Sequence, residues 1–157
     1  MKIGIIVHSH TGNTLFVAQQ IYNRFHDAGH TVSIERITAS NDSEKNANSI
    51  ILTSAPTLDE YDMLVFGAPV RGYMLSPVML AYLNQLPTLK GKYISGFVTQ
   101  FFPKPAMGGN QAIARLSEIC RSKGAEVDKT GIINWLNPFK RKKLILEAVD
   151  KITNITE

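Results

Sequence analysis

Ile3-Gly4-Ile5-Ile6-Val7-His8-Ser9-His10-Thr11-Gly12-Asn13-Thr14 is the stretch on which the reading of the fold turns. An apolar, β-branched run gives way at once to small hydroxyl and amide residues. That order predicts a buried strand over Met1–His8, a tight loop, and the start of a helix at Asn13. Such a junction is a phosphate cradle in outline. Backbone N–H groups at a helix N-terminus point outward and carry the positive end of the helix dipole. Ser9, Thr11 and Thr14 add hydroxyl donors, and Gly12 lets the backbone come close to an anion.

Downstream of this loop the chain alternates. A helix is predicted over Asn13–Ala28, where Leu15, Ala18, Ile21, Tyr22 and Phe25 form an apolar stripe that Gly29 closes. Thr31–Ile37 reads as a second strand, and Tyr61–Gly67 as a third that ends at Gly67-Ala68-Pro69. Ser76-Pro77 opens a helix in cap-then-proline order, with Met79, Leu80, Leu83 and Leu86 inward. A fourth strand follows over Tyr93–Thr99, then a helix over Gln111–Lys123. Val127–Trp135 reads as a fifth strand, and Asn137-Pro138 begins a last helix running to about Ile152. Between residues 38 and 60 the pattern is polar and irregular, with Ile50–Leu52 able to form a short strand or a helical turn. Strands and helices in alternation mean a parallel sheet covered on both faces, a doubly wound α/β domain.

Composition narrows the class. The 157 residues suit one domain, 44% apolar and 19% charged, with no repeats or linkers. A single cysteine, Cys120, excludes an internal disulfide and points to a reducing compartment; in its helical setting it reads as a structural thiol. No apolar run approaches the roughly 20 residues of a membrane helix, and Ile3–Val7 is too short for a signal-peptide core, so a cytoplasmic protein is expected. Lys and Arg outnumber Asp and Glu by 17 to 13. Aromatics are not interleaved with the cations, and no helix-turn-helix, zinc or RNA-platform signature occurs, which argues against nucleic acid. His8, His10, His26 and His30 do not make a metal set: Gly29 breaks the helix between the last two, and no third ligand stands near.

In a doubly wound sheet, ligands bind beyond the carboxyl ends of the strands. Three stretches meet that rule: Ser9–Thr14, Pro69–Tyr73 and Thr99–Gly109. Rival signatures for the first loop fail. There is no Gly-x-x-x-x-Gly-Lys-Ser/Thr, no Gly-x-Gly-x-x-Gly, no loop cysteine and no carboxylate cluster at the strand ends. A hydroxyl-rich loop free of lysine and acid suits a phosphate monoester.

Ser9-x-Thr11-Gly12-Asn13-Thr14-x-x-x-Ala18 resembles the phosphate-loop motif of the flavodoxin family. Tyr61-Asp62, Phe66-Gly67-Ala68-Pro69 and Gly108-Gly109 fall where that family has its later motifs, so the resemblance spans essentially the whole chain. It implies a single flavodoxin-like domain over residues 1–157. That domain would be a three-layer α/β sandwich with a five-stranded parallel sheet of order 2-1-3-4-5, binding one FMN. It also implies that Ser9, His10, Thr11, Gly12, Asn13 and Thr14 hold the phosphate. Pro69, Val70, Arg71, Gly72 and Tyr73, with Thr99, Gln100, Phe101 and Phe102, would flank the isoalloxazine ring. The residues suit that task, since a flat amphipathic ring needs aromatic faces and a few backbone donors. Packing onto the core is the other reading of Phe101-Phe102. Gly108-Gly109 reads either as helix-start geometry or as a contact on the ribityl side.

Two departures from acidic members of that family stand out. No Asp or Glu occurs from Pro69 to Asn110, whereas Arg71 and Lys104 do. A cationic Arg71 at the pyrimidine edge would stabilise the anionic reduced flavin and make its potential less negative; otherwise Arg71 reaches into solvent. Lys140-Arg141-Lys142-Lys143 opposes the dipole at the start of the last helix. It is either a solvated face or a dock for an acidic redox partner or an NADPH phosphate. The expectation is an FMN-binding electron carrier acting between protein partners. An NAD(P)H-dependent quinone or flavin reductase on the same fold is the alternative, and a flavin-free interaction module is a third.

Overall fold

The computed structural model describes residues 1–155. Its elements run β1 (Lys2–Val7), α1 (Asn13–Asp27), β2 (Thr31–Arg36), β3 (Thr38–Ala39), a 3₁₀ turn at Ala47–Ser49, β4 (Leu52–Ser54), β5 (Met63–Arg71) and β6 (Met74–Leu75). They continue through α2 (Pro77–Gln85), β7 (Tyr93–Gln100), α3 (Gly109–Ser122), β8 (Glu126–Asn134) and α4 (Pro138–Thr153). The five long strands are all parallel and lie in the order β2-β1-β5-β7-β8. Counting only those strands, this is the expected order 2-1-3-4-5.

The period of two along each strand sorts its side chains onto two faces. Ile3, Ile5 and Val7 of β1 pack under α1 and α4, against Val17, Ile21, Phe25, Ile145 and Val149. Ile6 and the neighbouring Leu64 and Phe66 of β5 face the other way, against Met79, Tyr82, Leu83, Leu116 and Ile119 of α2 and α3. Cys120 is buried within that second layer, and burial pushes its thiol up to about 12, as befits a structural rather than reactive cysteine.

Three local features differ from the sequence reading. The third long strand does not stop at Gly67-Ala68-Pro69. It continues to Arg71 because Val70 and Arg71 pair antiparallel with Leu75 and Met74 of β6, which turns the segment into a hairpin. The helix of α3 starts at Gly109, two positions before Gln111. The crossover between β2 and β5 contains no long helix. It is a small antiparallel pair, β3 with β4, joined by a polar loop whose side chains bond the backbone: Asn41 accepts from Ile51 N–H and donates to the Ser49 carbonyl. Amide side chains of this kind offer the backbone local partners that compete with a helix.

At Gly67 the two central strands come together so closely that a Cβ would lie 2.3 Å from Cζ of the buried Phe97 ring. Gly67→Ala should therefore cost about 1–3 kcal/mol by overpacking. Urea denaturation checks this, and Phe97→Leu added to the alanine variant should recover much of the loss.

Candidate functional site

The carboxyl ends of β1, β5, β7 and β8 converge on a cleft of about 300 Å³. Its walls include His10, Thr11, Asn13 and Thr14 from the first loop, Pro69, Val70 and Arg71 from the hairpin, and Thr99, Gln100 and Phe101 after β7. Trp135, just past β8, closes the remaining side. The sequence reading took Trp135 only as the end of a strand; its adjacency to the cleft depends on the order of the sheet.

The first loop is built to leave donors outward. Gly12, at φ +96°, occupies the cap position of α1 and has no side chain to cap it, so among the described residues the N–H groups of Asn13 and Thr14 are left without a side-chain partner while that of Leu15 is taken by Ser9. A Cβ on Gly12 would meet nothing within 4 Å, so the helix N-terminus is open above the loop. Its free N–H groups are unsatisfied donors of the kind that bind phosphate. Ser9 is turned inward, where its Oγ accepts from Leu15 N–H, and Arg36 donates to the Ser9 carbonyl at 3.1 Å. Thr14 is buried and its hydroxyl pairs with that of Thr99 at 2.9 Å, tying the first loop to β7.

The hairpin loop is the pair Gly72-Tyr73, both at positive φ, the pattern of a type I′ turn. Tyr73 is half exposed and its ring stacks on Phe102, with centroids 6.2 Å apart and planes at 11°; Phe101 meets Phe102 edge-on. The two loops on opposite sides of the cleft are thus joined by aromatic contact at its rim. Gly108 is what allows the approach, since a Cβ there would sit 2.7 Å from Cα of Tyr73 and 2.5 Å from Val70 Cγ1. Gly109 packs similarly against Gln100 and Ile132. Gly108-Gly109 therefore stands behind the hairpin. Gln100 is buried, and its amide donates to the carbonyls of Phe102 and Lys104, while Asn134 donates to that of Pro103. These two amides hold the 101–104 loop from below.

Arg71 is neither free beside the cleft nor spread into solvent. Its guanidinium donates to Oδ1 of Asp42 at 2.6 Å and to the Asp42 carbonyl at 2.6 Å. The other carboxylate oxygen of Asp42 accepts from His8 Nε2 at 2.7 Å, and His10 Nδ1 lies 3.1 Å from Oδ1. His8 is 1% exposed, and its Nδ1 accepts the Ser76 hydroxyl at 2.9 Å, while Ser76 Oγ accepts Met79 N–H at the start of α2. With Nε2–H directed at Asp42, every partner is satisfied by a neutral imidazole. Burial pushes the His8 pKa below its ordinary value, against the pull of Asp42. Burial works the other way on Asp42, but hydrogen bonds from Arg71 and His8 outweigh it and hold the carboxyl below its usual range. Asp42 lies on the irregular crossover, and neither it nor His8 was a candidate from sequence. A hydrophilic 38–60 segment carries no signal for which strand end it will reach.

Beyond Arg71 lies a second groove of about 580 Å³, with His10, Lys45 and Arg71 along one side and Met74, Leu75, Pro77 and Leu80 forming an apolar floor. No metal-binding cluster of His, Cys, Asp or Glu occurs among the described residues. No helix among them is long and apolar enough to cross a membrane.

Comparison with known proteins is informative at the level of fold. No protein-family model matches the chain, and no curated protein matches it in sequence. Solved structures do. Two-electron reduced flavodoxin from Megasphaera elsdenii is 23% identical with TM-score 0.65, over 94% of this chain and 98% of that one. A WrbA-like flavodoxin from Agrobacterium tumefaciens aligns at TM-score 0.71 and 13% identity, over 96% and 94%. A flavoprotein from Lactobacillus acidophilus in complex with FMN aligns at TM-score 0.62 and 16% identity, over 83% and 92%. With the sheet order, these likenesses define a flavodoxin-like fold.

His8 and Asp42 both have pKa values depressed in the folded state, so the stability they contribute is present at neutral pH and lost on acidification. The His8 share starts to fall below about pH 6.5, where the unfolded chain takes up the proton. Urea midpoints should drop between pH 7.5 and pH 5. His8→Gln should flatten that drop by at most about 1.4 kcal/mol per pH unit, the slope of one proton.

Proposed function

We propose that this chain is an FMN-binding, flavodoxin-like electron-transfer protein. The observation that carries the reading is the glycine-capped N-terminus of α1 at one end of a cleft that Phe101 and Trp135 help to wall. The residues fit a flavin phosphate. Backbone N–H groups near Asn13, with the Thr11 hydroxyl, would hold the phosphate, and the loop offers it no carboxylate in repulsion. Phe101, Trp135, Val70 and the hairpin backbone would shield the ring. When bound, FMN supplies the redox chemistry; the chain's part is to bind, orient and tune it. A cytoplasmic setting suits the free, buried thiol of Cys120.

The electrostatic part of that tuning rests on Asp42. Arg71 beside the cleft is neutralised by the Asp42 carboxylate, so the Arg71 cation does not act alone on an anionic reduced flavin. Asp42→Asn would release that charge and should raise the potential for full reduction by tens of millivolts, where ~60 mV is a tenfold shift in a one-electron equilibrium. Redox titration of the flavin-loaded protein checks the sign.

Binding itself is tested by titrating the purified chain with FMN and with riboflavin while following flavin fluorescence. FMN should bind about 100-fold more tightly or better, equivalent to about 2.7 kcal/mol for phosphate contacts. Thr11→Asp should abolish most of that preference and leave riboflavin affinity unchanged. Equal affinity for the two flavins, or none for either, refutes the reading.

The second reading is a reductase, and the 580 Å³ groove favours it by offering a separate place for a small molecule beside His10 and Arg71. Anaerobic bleaching of bound flavin by NADPH alone, with turnover on a quinone, would identify it. Bleaching only through a reductase protein identifies the carrier.

A further inference from the structure

We propose that the rim of the cleft, centred on Trp135 and Phe139 and bordered by Lys104, Lys140, Lys142 and Lys143, is the docking face for an acidic redox protein. The proposal names the partner of the electron carrier inferred above, and it stands on four observations independent of flavin binding.

Large apolar side chains are exposed around this edge of the molecule. Phe16, Phe101, Phe102, Leu136 and Phe139 are about half exposed or more, Phe139 reaching 91%. Phe16 meets Trp135 edge-on at 6.4 Å, Phe101 touches Phe102, and Phe101 and Trp135 line the same cleft, while Phe139 lies with Lys140 and Lys143 around a hollow at the start of α4. Exposed aromatic anchors inside a charged border are the anatomy of a protein interface.

The border is mostly positive. No carboxylate occurs from Pro69 to Ser117 or from Lys129 to Leu146. The nearby exceptions are Glu147, which lines one hollow with Phe139, Lys140 and Lys143, and Asp42 and Glu44 on the crossover loop, where the Asp42 carboxylate is bound by Arg71 and His8. At the opposite end of the sheet carboxylates stand among cations and pair with them, Glu60 with Lys2 and Asp150 with Arg24. The positive charge near the cleft is the excess that draws an approaching acidic partner toward it.

The fold does not need the cations where they are. They crowd the first turns of α4, where the helix dipole opposes them, and the cap there is already supplied by Asn137, whose Oδ1 accepts from Phe139 and Lys140 N–H. Lys143 has only a loose contact to Glu147 at 3.9 Å, and Lys140 and Lys142 make no ion pair among the described residues.

Lastly, the cluster is fastened to the cleft wall. Arg141 lies 5.1 Å above the Trp135 ring and donates to the Trp135 carbonyl at 3.0 Å. Cations and aromatics at set positions around a concave opening match carboxylates set around another protein's prosthetic group, rather than the diffuse charge of a lipid surface.

Cytochrome c and its succinylated form, in which lysines become carboxylates, make a probe pair differing chiefly in charge. Complex formation is read from haem quenching of Trp135, the only tryptophan, in the flavin-free chain. The reaction rate is read by stopped flow with reduced flavin-loaded chain, one electron passing from flavin to ferric haem. The succinylated form should bind and react at least about 10-fold better at low salt, with the advantage collapsing as ionic strength rises. A K140E/K142E/K143E variant should reverse that preference. Phe139→Ser should weaken binding several-fold without altering the salt slope.

Equal behaviour of the two cytochromes, or no effect of the charge reversal in a variant with wild-type circular dichroism, overturns the proposal. So does cosedimentation with phosphatidylserine vesicles that depends on Phe139 while the cytochromes are not distinguished. Because quenching is measured without flavin, failure to bind FMN would refute the carrier reading and leave the docking result standing on its own.

Discussion

A parallel sheet can be buried only if each strand is followed by a crossover that covers one of its faces, and that constraint organises this molecule. β1, β5, β7 and β8 all point the same way, so the segments that follow them meet at one edge. The glycine-led start of α1, the Gly72-Tyr73 hairpin, the 101–104 loop and the Trp135 wall are neighbours for that reason alone. Apart from Trp135, which packs its edge on the core, and the buried Thr14, these segments carry polar and aromatic groups outward. Their rigidity comes from below, through the Thr14–Thr99 hydroxyl pair and the amides of Gln100 and Asn134.

Electrostatics at this edge is governed by a single carboxylate. Asp42 meets Arg71, His8 and His10, so the cation beside the cleft is compensated and the histidine beneath it stays neutral. Through Ser76 the same network reaches the cap of α2. The polar crossover, the first strand and the second helix are thereby locked together under the cleft. Positive charge is instead carried outward, on the first turns of α4, where it stands against the helix dipole.

Most of the architecture was legible because burial leaves a regular trace. The alternation of Ile3, Ile5 and Val7 with Ile6, and the helical stripe of Ala18, Ile21 and Phe25, reflect faces that must exclude water. The loop between β1 and α1 was legible because the conformation it needs is demanding: small side chains and a glycine at positive φ. The hairpin over 70–75 was missed because its turn pairs glycine with tyrosine, and tyrosine is not a residue that announces a left-handed backbone. It is tolerated where Gly108 makes room beneath it and Phe102 stacks above it.

By itself the sequence determined the layered α/β fold and the tight loop after the first strand, since these follow from local periodicity and from residues with narrow conformational range, while the strand order was implied by the family resemblance. Tertiary structure alone decided that Asp42, 29 residues before Arg71, is the partner that neutralises it, that Trp135 closes the cleft, and that Gln100 serves the loop. Ion pairs and walls between distant segments leave no pattern along the chain. They exist only once the sheet has set which strand ends lie side by side.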